Sequence, residues 1–145
     1  MATSSLRASA PRQGGTDAAL LVLRLVLGIL ILLHGLSKLP PPPAFAAGEL
    51  AKLNLPSALA YGVYVGEVVA PVLIIIGVWT RLAALVVVAN MVAAVVLVHL
   101  PQLLKMNPEG GYALELQAMY LFTALALMLT GAGRFSVGGR YGPMN

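Results

Sequence analysis

The chain has 145 residues, of which 59% are hydrophobic and only 10% charged, against roughly 25% charged and 45–50% apolar in an ordinary soluble domain. This composition excludes a water-soluble globule and points to an all-α integral membrane protein, because one crossing needs about 20 apolar residues and four need about 80. The net charge of +4 comes from basic residues scattered singly near the ends of apolar runs rather than gathered with aromatics on one surface, so no nucleic-acid partner is implied. Cysteine is absent, which removes thiol–disulfide exchange, zinc–thiolate and iron–sulfur chemistry from this polypeptide.

Residues 1–17, with Thr3, Ser4, Ser5, Arg7, Pro11, Arg12, Gly14 and Gly15, are expected to form a disordered tail. Residues 18–39 predict a first spanning helix, too long for the core of a cleaved signal peptide and carrying Arg24 and His34. The prolines at 40–43 stop that helix and favour an extended segment. Between them and Pro56, residues 44–55 suit a short amphipathic helix on the membrane surface, with Glu49 and Lys52 toward water. The second span is expected at 57–79 and the third at 82–100, leaving only Thr80 and Arg81 for a tight antiparallel hairpin. A polar connector at 101–111 leads to a fourth span at 112–131 and a basic, glycine-rich tail from 133 onward. The expected organisation is a tail at 1–17, one four-helix transmembrane bundle at 18–136 and a second tail at 137–145. Arg7, Arg12, Arg81, Arg134 and Arg140 flank one side and only Lys38, Lys52 and Lys105 the other, which places both termini in the cytoplasm.

An ionisable side chain at mid-span is costly and requires a structural or functional account. Arg24 has two readings: snorkelling toward headgroups or toward Asp17, or an ion pair with Glu67 across the first two spans. Glu67 lies near mid-span, one turn before Pro71, and cannot snorkel as lysine does; it must be protonated, paired or beside a wet cavity. Arg24, Gly28, Gly35 and Lys38 share one face of the first helix, with His34 at its edge. Ala58, Gly62, Gly66 and Ala70 recur every four residues, a stripe that lets another backbone approach. Asn90 is expected to point into the bundle. His99, nine residues and half a rotation further on, then faces outward, which weakens the idea of a haem held by His34 and His99. Glu115 either meets Lys38 or His34 or stabilises the start of the fourth helix through the helix dipole.

The stretch Leu23-Arg24-Leu25-Val26-Leu27-Gly28, followed by His34-Gly35-Leu36-Ser37-Lys38-Leu39, resembles the opening helix of the DoxX family of small bacterial membrane proteins. Glu67 followed by Gly77-Val78-Trp79-Thr80-Arg81-Leu82-Ala83 is similar to that family's second helix and hairpin. The resemblance runs over about residues 18–136 with the spans in the expected order, and Gly138 stands where the family pattern after Gly133-Arg134-Phe135-Ser136-Val137 has an aspartate. It implies a four-helix bundle in the bacterial inner membrane. It also implies association with quinone-linked sulfur oxidation, as in the DoxD type, or with membrane oxidoreductase assemblies that handle thiol and oxidative stress.

Three functions are compatible with these readings. The first is a membrane subunit of an oxidoreductase system that binds a quinone or similar small ligand in the outer half, bounded by His34, Lys38, Glu67 and Glu115, with electrons supplied by a partner protein or soluble reductant. The second is a scaffold or assembly factor, with self-association possible, in which Arg24, Glu67 and Asn90 hold the helices in register. The third is a small-solute or proton pathway using Arg24, Glu67 and His34 as stepping stones. No residue set with metal-ligand spacing is present, and the sequence names no catalytic residue.

Overall fold

The computed structural model describes residues 13–39, 43–108 and 110–145, so the expectations for residues 1–12 and for Pro40, Pro41 and Pro42 lie outside the described residues. Five helical elements follow in order: α1, Gln13–Leu36; α2, Ala44–Lys52; α3, Ser57–Ile76, and α4, Thr80–Gln102; and α5, Glu115–Thr130. At 1.5 Å per residue the apolar stretches of α1 and α4 extend about 34 Å and α3 about 30 Å, enough for the roughly 30 Å hydrocarbon core. The 16-residue α5 extends about 24 Å. Among the described residues the chain is all-α, with a single isolated bridge between Met106 and Tyr112 in the α4–α5 connector.

The four long helices form a bundle in which α5 packs most extensively on α4, α1 lies against α3 and α3 against α4. Its core is built from Leu27, Ile31, Ile74, Val87, Ala124 and Leu127, none more than 2% exposed. Large apolar side chains such as Val22, Leu33, Val96, Phe122 and Leu129 point outward, the arrangement a lipid solvent favours because it makes no distinction between hydrocarbon and leucine. The chain is a membrane protein, and this outer shell is its contact with lipid.

Several boundaries differ from the sequence expectation for identifiable reasons. Residues 13–17 are already helical, and Asp17 is buried rather than part of a loose tail. The second long helix stops at Ile76 because Gly77 takes a left-handed backbone, φ +72°. A Cβ at Gly77 would also collide with the Arg24 guanidinium. Trp79 is left-handed as well, φ +48°, and Thr80 starts α4, so the hairpin turn is 77–79 rather than 80–81. Residues 112–114 form a turn before α5 instead of its first turn.

The glycine-rich segment after α5 docks against the bundle. Val137 and Gly138 donate backbone hydrogen bonds to the carbonyls of Ile76 and Gly77, and Arg81 donates its N–H to Met144. Asn145 is buried; its Oδ1 accepts from the Thr80 N–H at 3.1 Å and hydroxyl at 2.9 Å, while its Nδ2 donates to Gly77 and Gly139 carbonyls. The Asp17 carboxylate accepts from Arg140 at 2.6 Å and from the Arg134 N–H at 3.0 Å. That hydrogen bond from Arg140 to Asp17 raises the Arg140 guanidinium above its ordinary pKa. Residues 133–145 therefore close one end of the bundle, which is called the tail end below; α2 covers the opposite one.

Candidate functional site

Arg24 does not pair with Glu67. Its guanidinium is 1% exposed and donates to four backbone carbonyls: Ile74 at 2.9 Å, Ile75 at 2.8 Å, Ala132 at 2.9 Å and Phe135 at 2.9 Å. Two of these acceptors belong to the last turn of α3, whose carbonyls have no intrahelical donor and carry the negative end of the helix dipole. Arg24 is thus a side-chain cap on the C-terminus of α3, supplied by α1. Asp17, the other partner considered for it, is occupied by Arg140 and Arg134.

Glu67 finds its cation on the other side. Lys38 Nζ lies 2.7 Å from Oε1 and 2.6 Å from Oε2, with the Glu67 side chain 5% exposed and that of Lys38 33%. Asn90 Nδ2 donates to Glu67 Oε1 at 3.5 Å, and the Tyr64 hydroxyl donates to the Lys38 carbonyl at 3.3 Å. Lysine has three donors, and the carboxylate engages two directions only, so one N–H of Lys38 remains available toward the open side.

Glycines bring these groups together. A Cβ on Gly35 would collide with the backbone carbonyl of Glu67, and one on Gly66 would come within 2.5 Å of the Asn90 side chain. Of the four-residue stripe, Gly66 and Ala70 are buried in helix contacts whereas Ala58 and Gly62 are exposed, because the helix changes pitch between them. Residues Val65–Val69 form a wide π turn. The cause is Pro71, which has no N–H for the carbonyl of Glu67 four residues back and crowds that oxygen with its ring. The same relation recurs in α4, where the π turn Val95–His99 sits at the same offset ahead of Pro101.

A cavity of about 760 Å³ lies between the helices at the α2 end, with His34, Lys38, Glu67, Asn90, His99 and Tyr120 among its lining and mostly apolar walls otherwise. Helix α2 closes over it with Phe45, Glu49 and Leu50; Leu50 is buried, and Glu49 pairs with Lys52 at 2.7 Å, so only Lys52 of that pair is fully water-facing. His34 is exposed at the rim, where its carbonyl accepts from the Ser37 hydroxyl. His99 faces the same cavity as Asn90, contrary to the half-rotation estimate, because the π turn takes fewer degrees per residue and brings it round. Its ring nitrogens stand 3.2 Å from Gln102 and 3.5 Å from Gln117, contacts that axial ligation of a haem would have to break. Glu115 does not line the cavity. It is exposed in the first turn of α5 beside Gly111, the dipole-stabilising position. No group of three His, Asp or Glu among the described residues is placed to hold a metal ion.

The DoxX family model matches residues 19–100, which contain Arg24, Lys38, Glu67 and both π turns. The chain belongs to the DoxX family. This DoxX chain is 30% identical over 112 residues, 77% of its length and 78% of the relative's, to a Bacillus subtilis protein named "Putative oxidoreductase CatD". It is 28% identical over 128 residues, 82% of its own length and 78% of the other's, to "Uncharacterized membrane protein Rv3486" of Mycobacterium tuberculosis. No solved structure matches it.

The sequence of this DoxX chain singles out His34, Lys38, Glu67, Asn90 and Arg24, but the Arg24–Glu67 pairing it allows does not form, and it gives no sign of Gln117 or of the covering role of α2. A readable signal existed for part of this. Two apolar helices that each place a proline two residues beyond a valine-rich stretch with a single ionisable residue, at Pro71 and Pro101, mark the points where helical phase shifts.

Proposed function

We propose that this DoxX protein is the membrane subunit of an oxidoreductase system and binds a quinone or a similar polar-headed apolar ligand in the cavity at the α2 end. The observation that carries the reading is the cavity itself: about 760 Å³ with largely apolar walls and one polar wall where Lys38, Glu67 and Asn90 converge, the combination that small-ligand sites share. A bound quinone supplies a two-electron, two-proton couple. In this chain Lys38 donates its free N–H to a ligand carbonyl, Glu67 holds or releases a proton beside it, and the walls exclude water from the apolar part of the ligand. The chain has no cysteine and brings no thiol donor, so electrons enter from a partner protein or a soluble reductant. The excess of arginines at the tail end supports a reading in which that end, with both termini, faces the cytoplasm and the α2 end faces outward in the bacterial inner membrane, with residues 18–136 as one unit.

The proton-pathway reading is weaker, because the apolar layer of Leu27, Ile31, Ala70 and Ile74 separates Arg24 from Glu67. The scaffold reading rests on the complete satisfaction of Glu67 by Lys38 and Asn90. Purification from native membrane, followed by extraction and identification of bound small molecules, separates them. The expected result is a quinone retained by the native chain and lost in Glu67→Gln and His34→Gln with helix content unchanged. Retention of protein partners alone, with both variants fully active, transfers the lead to the scaffold.

A further inference from the structure

The tail end carries more positive charge than its own carboxylates balance. Arg24, Arg81, Arg134 and Arg140 gather there, and Asp17 is the only acidic side chain among the described residues of that end, taken up by Arg140 and the Arg134 N–H. Arg24 is buried in backbone carbonyls and cannot reach a ligand. Arg81 is exposed, its guanidinium making only a 3.5 Å contact with the Thr130 carbonyl. Arg134 is exposed too and lies 6.0 Å from the Phe135 ring centroid. Around these two cations the docked segment and the hairpin turn present exposed apolar side chains: Val137 at 80% and Tyr141 at 93% exposure, with Phe135 and, in the turn, Trp79 about half exposed.

We propose that this end of the bundle, formed by the 77–81 turn and residues 133–145, is a binding surface for the headgroups of anionic phospholipids, with Arg81 and Arg134 meeting the phosphates. The apolar and aromatic side chains sit beside the two cations as they do in interfacial belts, where one part of a side chain is greasy and another wet. An anionic lipid is the occupant because the patch pairs unbalanced cations with exposed apolar surface at one end of the membrane-spanning helices; a zwitterionic headgroup offers no net charge, and a soluble anion offers no acyl chain for Val137 and Tyr141. Each arginine held close to an anionic surface contributes about fivefold in binding, so the pair is worth roughly 25-fold.

The test uses the full chain in neutral detergent with phosphatidylglycerol, phosphatidylcholine or glycerol phosphate added, read by thermal unfolding and by native mass spectrometry of retained lipid. Phosphatidylglycerol is expected to raise the unfolding temperature and to remain bound, phosphatidylcholine to do neither to the same degree, and glycerol phosphate to have no effect. Arg81→Gln with Arg134→Gln removes the preference, Lys105→Gln at the opposite end keeps it, and half-molar salt weakens it. Val137→Glu, at a side chain 80% exposed, is a second variant that leaves the docked segment intact and lowers phosphatidylglycerol retention. Equal protection by both lipids, protection by glycerol phosphate alone, or an unchanged preference in the double arginine variant and in Val137→Glu overturns the proposal.

Discussion

At the tail end a guanidinium is enclosed by four backbone carbonyls, whereas at the α2 end a carboxylate is held by two side chains, Lys38 and Asn90, beside a cavity. Both arrangements satisfy a charge that the membrane would otherwise penalise. They differ in what they permit. Carbonyls at a helix end cannot turn away without unwinding the helix, so the Arg24 cage is fixed. A lysine on a four-carbon stem and an amide can rotate, so the Glu67 site can exchange partners with an incoming ligand. Chemistry belongs where the charge is held by movable groups, and architecture where it is held by backbone.

The largest effect should come from breaking the fixed end. Arg24→Met removes four hydrogen bonds from a charged donor, each worth roughly 1.5–3 kcal/mol, so even after relaxation the loss is expected to exceed about 3 kcal/mol. Thermal or denaturant unfolding in detergent measures it, and residues 133–145 should become protease-sensitive in the same variant. An intact tail with unchanged stability would dissolve the contrast between the two ends.

A smaller effect tests how the movable end is assembled. Gly35→Ala forces a methyl group against the Glu67 carbonyl and is expected to cost about 1–3 kcal/mol, the range for overpacking. Gly48→Ala in α2, where a Cβ meets nothing within 4 Å, is the matching control and should be neutral or slightly stabilising.

The smallest effect sharpens the pairing itself. Because Lys38 is a third exposed, screening reduces its bond to Glu67, and a double-mutant cycle of Lys38→Gln and Glu67→Gln should show coupling near the low end of the 0.5–3 kcal/mol seen for residues in contact. Arg24→Gln combined with Glu67→Gln should be additive within about 0.5 kcal/mol. Coupling in the second cycle and none in the first would restore the Arg24–Glu67 pair that depth alone suggested.

The spans were readable because lipid-facing helices must be long and apolar, and the turns at Gly77 and ahead of α5 shifted them by only a few residues. The polar core was readable by residue and not by partner. Burial cost singles out Arg24 and Glu67, but the acceptors of Arg24 are carbonyls of Ile74, Ile75, Ala132 and Phe135, and a backbone oxygen leaves no mark in the residue types. Uniform 100° steps along α4 misplaced His99 because Pro101 lies beyond a π turn. The segment after α5 reads only as a basic, glycine-rich tail, yet Asn145 anchors it through bonds to Thr80, Gly77 and Gly139, pairings 65 or more residues apart in two of the three cases.

The cage around Arg24 also has a history within each molecule's synthesis. Two of its acceptors lie 108 and 111 residues further along the chain, and at about 5–20 residues per second the ribosome needs roughly 6–20 s to deliver them. During that interval the first helix is already emerging with its arginine, and only lipid headgroups, water or the freshly made end of α3 can serve that charge. Snorkelling is therefore the state of the nascent helix, and the carbonyl cage is its replacement. A stretch of chain translated more than a hundred residues later completes the burial of the Arg24 charge.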